Sequence, residues 1–469
     1  MIDKNDKERQ GRMNINNLRE TNQESVINHP KVKLLAQLDG TDSTAQAIIV
    51  RRLDEFERTK STSGADLDIS AQLYRNNTPP KIRMLRGSGL AGIGAVASVA
   101  MGLALSPWGI LPAAAGFLVT GAAMTLSGLP VMAIRDLWTG YKENKNPSPE
   151  PDWSGKRVYD KVEPDKVQGK IDSRPVEDIR SGLLFPVMPD VDKFSEFLTR
   201  NFDGNAKNVI YFAGHGMGYQ RTGGMKTKDL ANAIETANSN RGVTPAVLFM
   251  ESCHEGNYEG MSDLRKSAEY AIVSEEMMQA GDLPLEKTIS EAVKHSSSNE
   301  ELAKSMFSAA NANKENFTMA LINLRKMPEL NGAMENLATL LTGEMAANSG
   351  IRDQIRAAEE KATKFPNDPG NQGKVIKALY GYSGFSDLGG FFNALGEIDF
   401  NDEIKSSLVK AKEALAAVVV DKSLGEGYEN CSGLSFQIKP EDAAGPGREK
   451  YSEVDIPQAW KDFITALWK

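Results

Sequence analysis

Cysteine is nearly absent from this chain: Cys253 and Cys431 are the two among 469 residues. They can make one bridge at most, which excludes a disulfide-stapled scaffold, leaves the fold to its apolar core and fits a reducing compartment. Positive charge is in deficit as well. Lys and Arg number 55 against 63 Asp and Glu, a net charge of -8, the wrong sign for a dedicated nucleic-acid binder. No apolar run opens the chain. Its start, MIDKNDKERQ, lacks the hydrophobic core of a secretory signal, so export is expected by another route if it happens. A mean hydropathy of -0.39 excludes a polytopic transporter. With 40% hydrophobic and 25% charged residues, global disorder is excluded too, and the length suggests roughly two to four domains.

Charge is missing altogether from Gly87 to Ile134, a block of 48 residues. About 20 apolar residues cross a bilayer core as a helix, so the block suits two spans, broken at Ser106-Pro107-Trp108-Gly109. Lys81, Arg83 and Arg86 precede it, and Arg135, Lys142 and Lys145 follow it. The positive-inside rule then places both flanks in the cytoplasm, as for a transmembrane helical hairpin. A buried hairpin packed through small residues such as Gly89, Gly92 and Gly94 is the alternative.

The block divides the chain. Residues 1 to 86 carry 15 basic and 12 acidic groups, and residues 135 to 469 carry 40 and 51. In the first part, Asp42 or Ser43 caps a predicted helix whose Ile49, Leu53 and Phe56 form one apolar stripe. Residues 1 to 86 therefore read as a polar, partly helical N-terminal extension. Asn146-Pro147-Ser148-Pro149-Glu150-Pro151 ends any helix, so residues 135 to 152 read as a Pro-rich linker and the main domain as residues 153 to 469. There NVIYFA (Asn208 to Ala213) and AVLFM (Ala246 to Met250) read as buried strands, with a helix around Lys228 to Ala237 between them. Tyr270 to Val273 and Phe317 to Leu321 continue the alternation. Strand-helix alternation predicts an α/β fold with a mainly parallel sheet, whose ligand sites lie beyond the carboxyl ends of its strands.

Two of those strands run into chemistry-bearing residues. NVIYFA leads to Gly214-His215-Gly216, and AVLFM leads to Glu251-Ser252-Cys253-His254-Glu255-Gly256. A cysteine at one tip is a candidate nucleophile, and a histidine at the neighbouring tip can hold its ionisation state and protonate a leaving amine. The N–H groups of Gly216 and Cys253 are candidates for an oxyanion hole. His254 is the competing base, but its ring is expected to diverge from the thiol. Metal binding by His215, Cys253, His254 and Glu255 is disfavoured, because paired Cys or His ligand spacings are missing. No metal or cofactor is expected.

These residues resemble the clostripain family of cysteine peptidases, in the clan of caspases, legumain and gingipains. His215-Gly216 and Glu251-Ser252-Cys253 match its two motifs in kind. YAIVSEE (Tyr270 to Glu276), Thr318 to Leu341, Tyr382 to Leu395 and Ser432 to Ile438 are similar to later family segments in the same order. The resemblance covers about residues 190 to 469. It implies a caspase-hemoglobinase-like α/β/α sandwich, preceded here by the N-terminal helical region and the hydrophobic hairpin. It also implies a His215/Cys253 dyad and cleavage after Arg or Lys in a protein or peptide substrate. A pocket for the residue before the cut (P1) would then need an acid, with Asp282, Glu275 and Glu276 as candidates. Relatives that mature by self-cleavage direct attention to Arg221, Lys226 and Lys228, in a loop expected to be accessible. Calcium dependence also occurs in the family, although no EF-hand spacing is present. The chain departs from the family in three ways: its usual first strand has no clear counterpart between Asp152 and Val191, Glu251 stands where Asp is common, and an internal apolar block is present where secreted members carry signal peptides.

The sequence thus predicts a membrane-tethered cysteine endopeptidase whose catalytic domain faces the cytoplasm, or a protein delivered into another cell. The alternative is a catalytically silent peptidase-fold binding module or a membrane-acting effector or toxin.

Overall fold

The computed structural model describes residues 31–40, 43–75, 155–163, 177–180, 190–278, 283–312, 318–365, 384–437 and 450–469. The uncharged block at residues 87–134 and the linker at 146–151 lie outside the described residues, as does Asp282. Among the described residues, no helix is long and apolar enough to cross a membrane.

One nine-stranded sheet organises the molecule, in the order β11-β8-β7-β6-β5-β1-β2-β3-β4. Its centre comprises β1 (Val32–Gly40), β2 (Leu67–Arg75), β5 (Lys207–Ala213), β6 (Val247–Glu251) and β7 (Tyr270–Val273). These five run parallel. The outer strands β3 (Gly155–Tyr159), β4 (Glu177–Arg180), β8 (Met319–Asn323) and β11 (Val419–Ser423) are antiparallel to their inner neighbours. The α/β prediction with a mainly parallel sheet is borne out.

Period-two alternation sends successive residues to opposite faces. Ile210, Phe212, Leu248 and Met250 enter one core, covered by α2 (Val191–Asn201), α3 (Thr227–Arg241), α7 (Met327–Ala347) and α11 (Gln458–Trp468). Val209, Tyr211, Val247 and Phe249 enter the other, covered by α1 (Ser43–Ser63), α5 (Leu285–Lys294) and α6 (Asn299–Ala310). Helix starts follow local capping. The Asp190 carboxylate accepts the N–H groups of Asp192 and Lys193 to open α2, and Ser298 accepts that of Glu301 to open α6. The helix predicted from Ile49, Leu53 and Phe56 is α1, and Phe56 is fully buried.

The domain division needs correction. Residues 32–75 are no extension: β1 lies between β5 and β2, in register with Lys207 to Ala213 on one side and Leu67 to Arg75 on the other. The first strand that seemed missing after Asp152 stands before the uncharged block instead. Residues 76–154 are therefore an insertion between two paired strands, β2 and β3.

Candidate active site

Strands β5 and β6 pair with Ala213 opposite Glu251, and the Gly214 N–H donates to the Glu251 carbonyl at 3.3 Å. The two tips therefore leave the sheet side by side. Gly216 then lies directly on the loop that carries Cys253. A Cβ there would stand 2.2 Å from the Cys253 carbonyl oxygen, 2.9 Å from the Cys253 nitrogen and 2.5 Å from a Glu255 carboxylate oxygen. Only glycine permits that approach; its neighbour His215 is exposed and Cys253 is half-buried.

The chain after Gly216 doubles back on itself. Met217 N–H donates to the Arg221 carbonyl at 2.8 Å and Gly223 N–H to the His215 carbonyl at 2.7 Å. This pairing does not use the Gly216 N–H. Glu255 fastens the loop from beneath, accepting from Ser252 Oγ at 3.1 Å and Thr222 Oγ1 at 3.0 Å. Burial raises its carboxyl pKa well above the usual range, against the pull of those two bonds.

The Cys253 thiol is held by backbone. Met278 N–H donates to Sγ at 3.4 Å, and the thiol faces the Met278 carbonyl at 3.6 Å. Desolvation pushes the thiol up to about 11, the Met278 bond opposes this, and the charges of Glu255 and Glu276 add to it. In this arrangement the sulfur carries its proton at neutral pH, so nucleophilic work requires a base beside it.

His254 is committed elsewhere. Its φ of 58° is left-handed, where a residue with a side chain is strained by roughly 1–3 kcal/mol. The surroundings hold it there: its N–H donates to the Glu276 carbonyl at 3.1 Å, and Nδ1 lies 2.9 Å from the Glu275 carbonyl. The extended backbone expected at this position is a turn. The ring is nonetheless tied to the Glu275 carbonyl.

The candidate pocket acids are distributed differently from expectation. Glu275 is buried near Asp387, and desolvation followed by the Asp387 charge raises its carboxyl well above the usual range. Glu276 accepts from the Tyr428 hydroxyl and from Met277 N–H. Neither faces open solvent. The self-cleavage candidates do not sit at an open tip: Arg221 lies in the folded-back loop, Lys226 stands at the N-cap of α3 and Lys228 in its first turn. Tyr219, Gln220, Thr222 and Met225 around them are buried, and Lys226 pairs with Glu453 at 3.3 Å while Lys228 donates to the Glu453 carbonyl.

A C-terminal strap closes the far side of the site. Ser435, in β12 (Ser435–Gln437), donates its N–H to the Gly256 carbonyl at 2.9 Å. Glu259, in the short helix α4 (Tyr258–Asp263), accepts from Gln437 N–H at 3.1 Å and the Tyr451 hydroxyl at 3.3 Å. Burial raises the Glu259 pKa to about 7 and that of Asp263, which accepts from Asp455 N–H, to about 6. A carboxyl whose folded pKa exceeds its unfolded value stabilises the fold below the unfolded value and loses that contribution as pH rises through the folded one. Glu259→Gln, which mimics the protonated acid, is thus expected to melt with the wild type near about pH 5 and above it near about pH 8. Parallel melting curves at both pH values would exclude a proton on Glu259.

Sequence reasoning missed Arg52, Tyr211 and Met278, which surround the two tips. Their partners lie far away along the chain: Arg52 is 199 residues from Glu251, a separation that leaves no local pattern. Among the described residues, no cluster of His, Cys, Asp or Glu could hold a metal ion.

The same architecture occurs in solved proteins. One is a secreted C11 cysteine protease from Bacteroides thetaiotaomicron in complex with an irreversible peptide inhibitor. It matches at 14% identity and a TM-score of 0.51, over 92% of this chain and 98% of that one. Another is an inactive zymogen C11 protease from Parabacteroides distasonis, at 10% identity and a TM-score of 0.50, over 93% and 95%. No family model and no curated protein sequence matches. At these identities the likeness establishes the fold, which is the one the clostripain resemblance implied. The membrane-bound, cytoplasm-facing placement is corrected: no described helix can span a bilayer, and the first of these structural neighbours is a secreted protein.

Proposed function

We propose that this chain is a cysteine endopeptidase acting through Cys253 and His215. The observation that carries the reading is the seat of Gly216, the residue after His215, on the backbone of Cys253. His215 takes the thiol proton as sulfur attacks the scissile carbonyl carbon, and the negative oxygen is received by the N–H groups of Gly216 and Cys253. The imidazolium returns its proton to the departing amine. Water, deprotonated by His215, then hydrolyses the thioester and restores the thiol. The full-length match to C11 proteases supports this reading.

Cleavage after Arg or Lys is the proposed specificity. Glu276 already accepts two hydrogen bonds and Glu275 is buried beside Asp387, which favours Asp282 as the acid that meets the P1 cation. Arg221, Lys226 and Lys228 are the proposed self-cleavage points, and cutting at Lys226 or Lys228 would first require release of their Glu453 contacts. The second reading, a silent binding module, draws support from the protonated, backbone-held thiol.

The test is incubation of the full chain with fluorogenic peptides bearing Arg, Lys, Asn or Asp at P1, before and after alkylation mapped to Cys253. Turnover after Arg or Lys that alkylation stops is the expected result. Turnover confined to Asn or Asp would keep the peptidase and reject the basic pocket. No turnover on any peptide would favour the binding module.

A further inference from the structure

Helix α1 delivers one charged side chain into the sheet's second core. Arg52 is fully buried, and its guanidinium donates four hydrogen bonds. Nε donates to Glu251 Oε2 at 3.1 Å while Nη2 donates to Glu251 Oε1, a two-pronged pairing across the carboxylate. Nη1 donates to Glu55 Oε2 and to the Leu283 carbonyl, the latter at 3.2 Å. The Tyr211 hydroxyl donates to the same Glu251 carboxylate. Two carboxylates thus face one cation.

The positions of the acceptors matter more than their number. Tyr211 lies four residues before His215 on β5, and Glu251 lies two residues before Cys253 on β6. Leu283 opens the approach to α5, five residues beyond Met278, whose backbone touches the thiol. One guanidinium therefore ties together the segments that carry the base, the nucleophile and the thiol's backbone cover. Phe56 of α1 packs edge-on against Tyr211 at 5.8 Å between ring centres, so the helix is seated by apolar contact as well.

We propose that Glu251, Glu55, the Leu283 carbonyl and Tyr211 form a built guanidinium-binding site beneath the two tips. Arg52 is its internal ligand and acts as a positioning residue for Cys253 and His215. The cavity left by truncating Arg52 accepts a free guanidinium ion, because its acceptors are fixed by separate elements: Glu251 ends β6, Glu55 stands on α1 and Leu283 precedes α5. A lysine in its place provides charge without the fork and fills the site incompletely. The turnover part of this inference rests on the peptidase reading above, whereas the site itself does not.

The experiment uses the full chain as Arg52→Ala, Arg52→Lys and Arg52→Ala with Glu251→Gln. Three quantities are followed: turnover, the alkylation rate of Cys253 and the melting temperature. Guanidinium chloride is added at low millimolar concentration, with sodium chloride and urea as controls. A misplacement of about 1 Å costs on the order of 10²-fold in rate. Arg52→Ala is therefore expected to lose about that factor in kcat with little change in KM, Arg52→Lys less, and guanidinium alone is expected to restore at least about tenfold. The added Glu251→Gln is expected to abolish the rescue. Unchanged kcat in Arg52→Ala, or guanidinium that restores melting temperature but neither kcat nor alkylation rate, overturns the proposal. If Arg52→Ala fails to fold, Arg52→Lys decides, and wild-type kcat in it overturns the proposal. If the wild type itself turns over no peptide, the peptidase reading falls. The site is then judged by alkylation: a changed rate in Arg52→Ala that guanidinium returns to the wild-type value supports it, and an unchanged rate overturns it.

Discussion

Cys253→Ala in the full chain is expected to lower peptide turnover on the order of 10⁴-fold or more, because every covalent step of the proposed reaction passes through its sulfur. The fold should tolerate the change. The thiol makes two long contacts to the Met278 backbone, at 3.4 and 3.6 Å, and their loss costs about 1 kcal/mol. His215→Ala is expected to lose activity to a similar extent, and the double variant no further, since groups that act as a unit are not additive. His215 is exposed, so its removal leaves the core intact. Michaelis kinetics on the wild type, the two single variants and the double, with melting curves alongside, checks this. A Cys253→Ala variant that retained turnover within about tenfold of the wild type would remove the dyad from the mechanism.

The second large effect concerns stability. A chain beginning at residue 153 is expected not to fold cooperatively, although a reading of the sequence alone would choose that boundary for the catalytic unit. Such a chain lacks β1 and β2, so β5 loses its partner over seven residues and β3 loses the strand on which it pairs. It also loses the buried side chains of Val32, Leu34, Leu35, Leu38, Phe56, Leu67, Ile69 and Leu73. Each contributes roughly 1.5–3 kcal/mol by burial, so together they match or exceed the roughly 5–15 kcal/mol by which a whole domain is stable. Glu251 would lie buried without its guanidinium, a further penalty. Circular dichroism during heating tests the expectation. A sharp transition within a few degrees of the full chain would show that residues 153–469 are autonomous.

What was legible in the sequence was local. Strands β5, β6 and β7 announced themselves because both faces of each are apolar, and α1 because its capping residue and apolar stripe lie within one helix length. The strand-tip positions of His215 and Cys253 followed from those strands alone. β1 and β2 were hidden by their own polar residues: Lys33, Gln37 and Asp39 in one, Ser70 and Gln72 in the other, all buried. Such residues resemble a solvated segment until their distant partners are known. Lys33 donates to Asp68 at 2.5 Å and Ser70 to Asn201 at 2.9 Å, and neither pair is visible along the chain.

The sequence by itself determined β5, β6 and β7, helix α1 and the strand-tip places of His215 and Cys253, since each depends on side chains a few positions apart. Only the tertiary structure decided that the chain's early segment completes the middle of the sheet and that the Glu251 carboxylate is answered by Arg52. It alone placed Gly216 on the Cys253 backbone. Those outcomes are set by strand order and by charge pairing across large separations, where burial makes an unpartnered charge so costly that the fold must supply its partner.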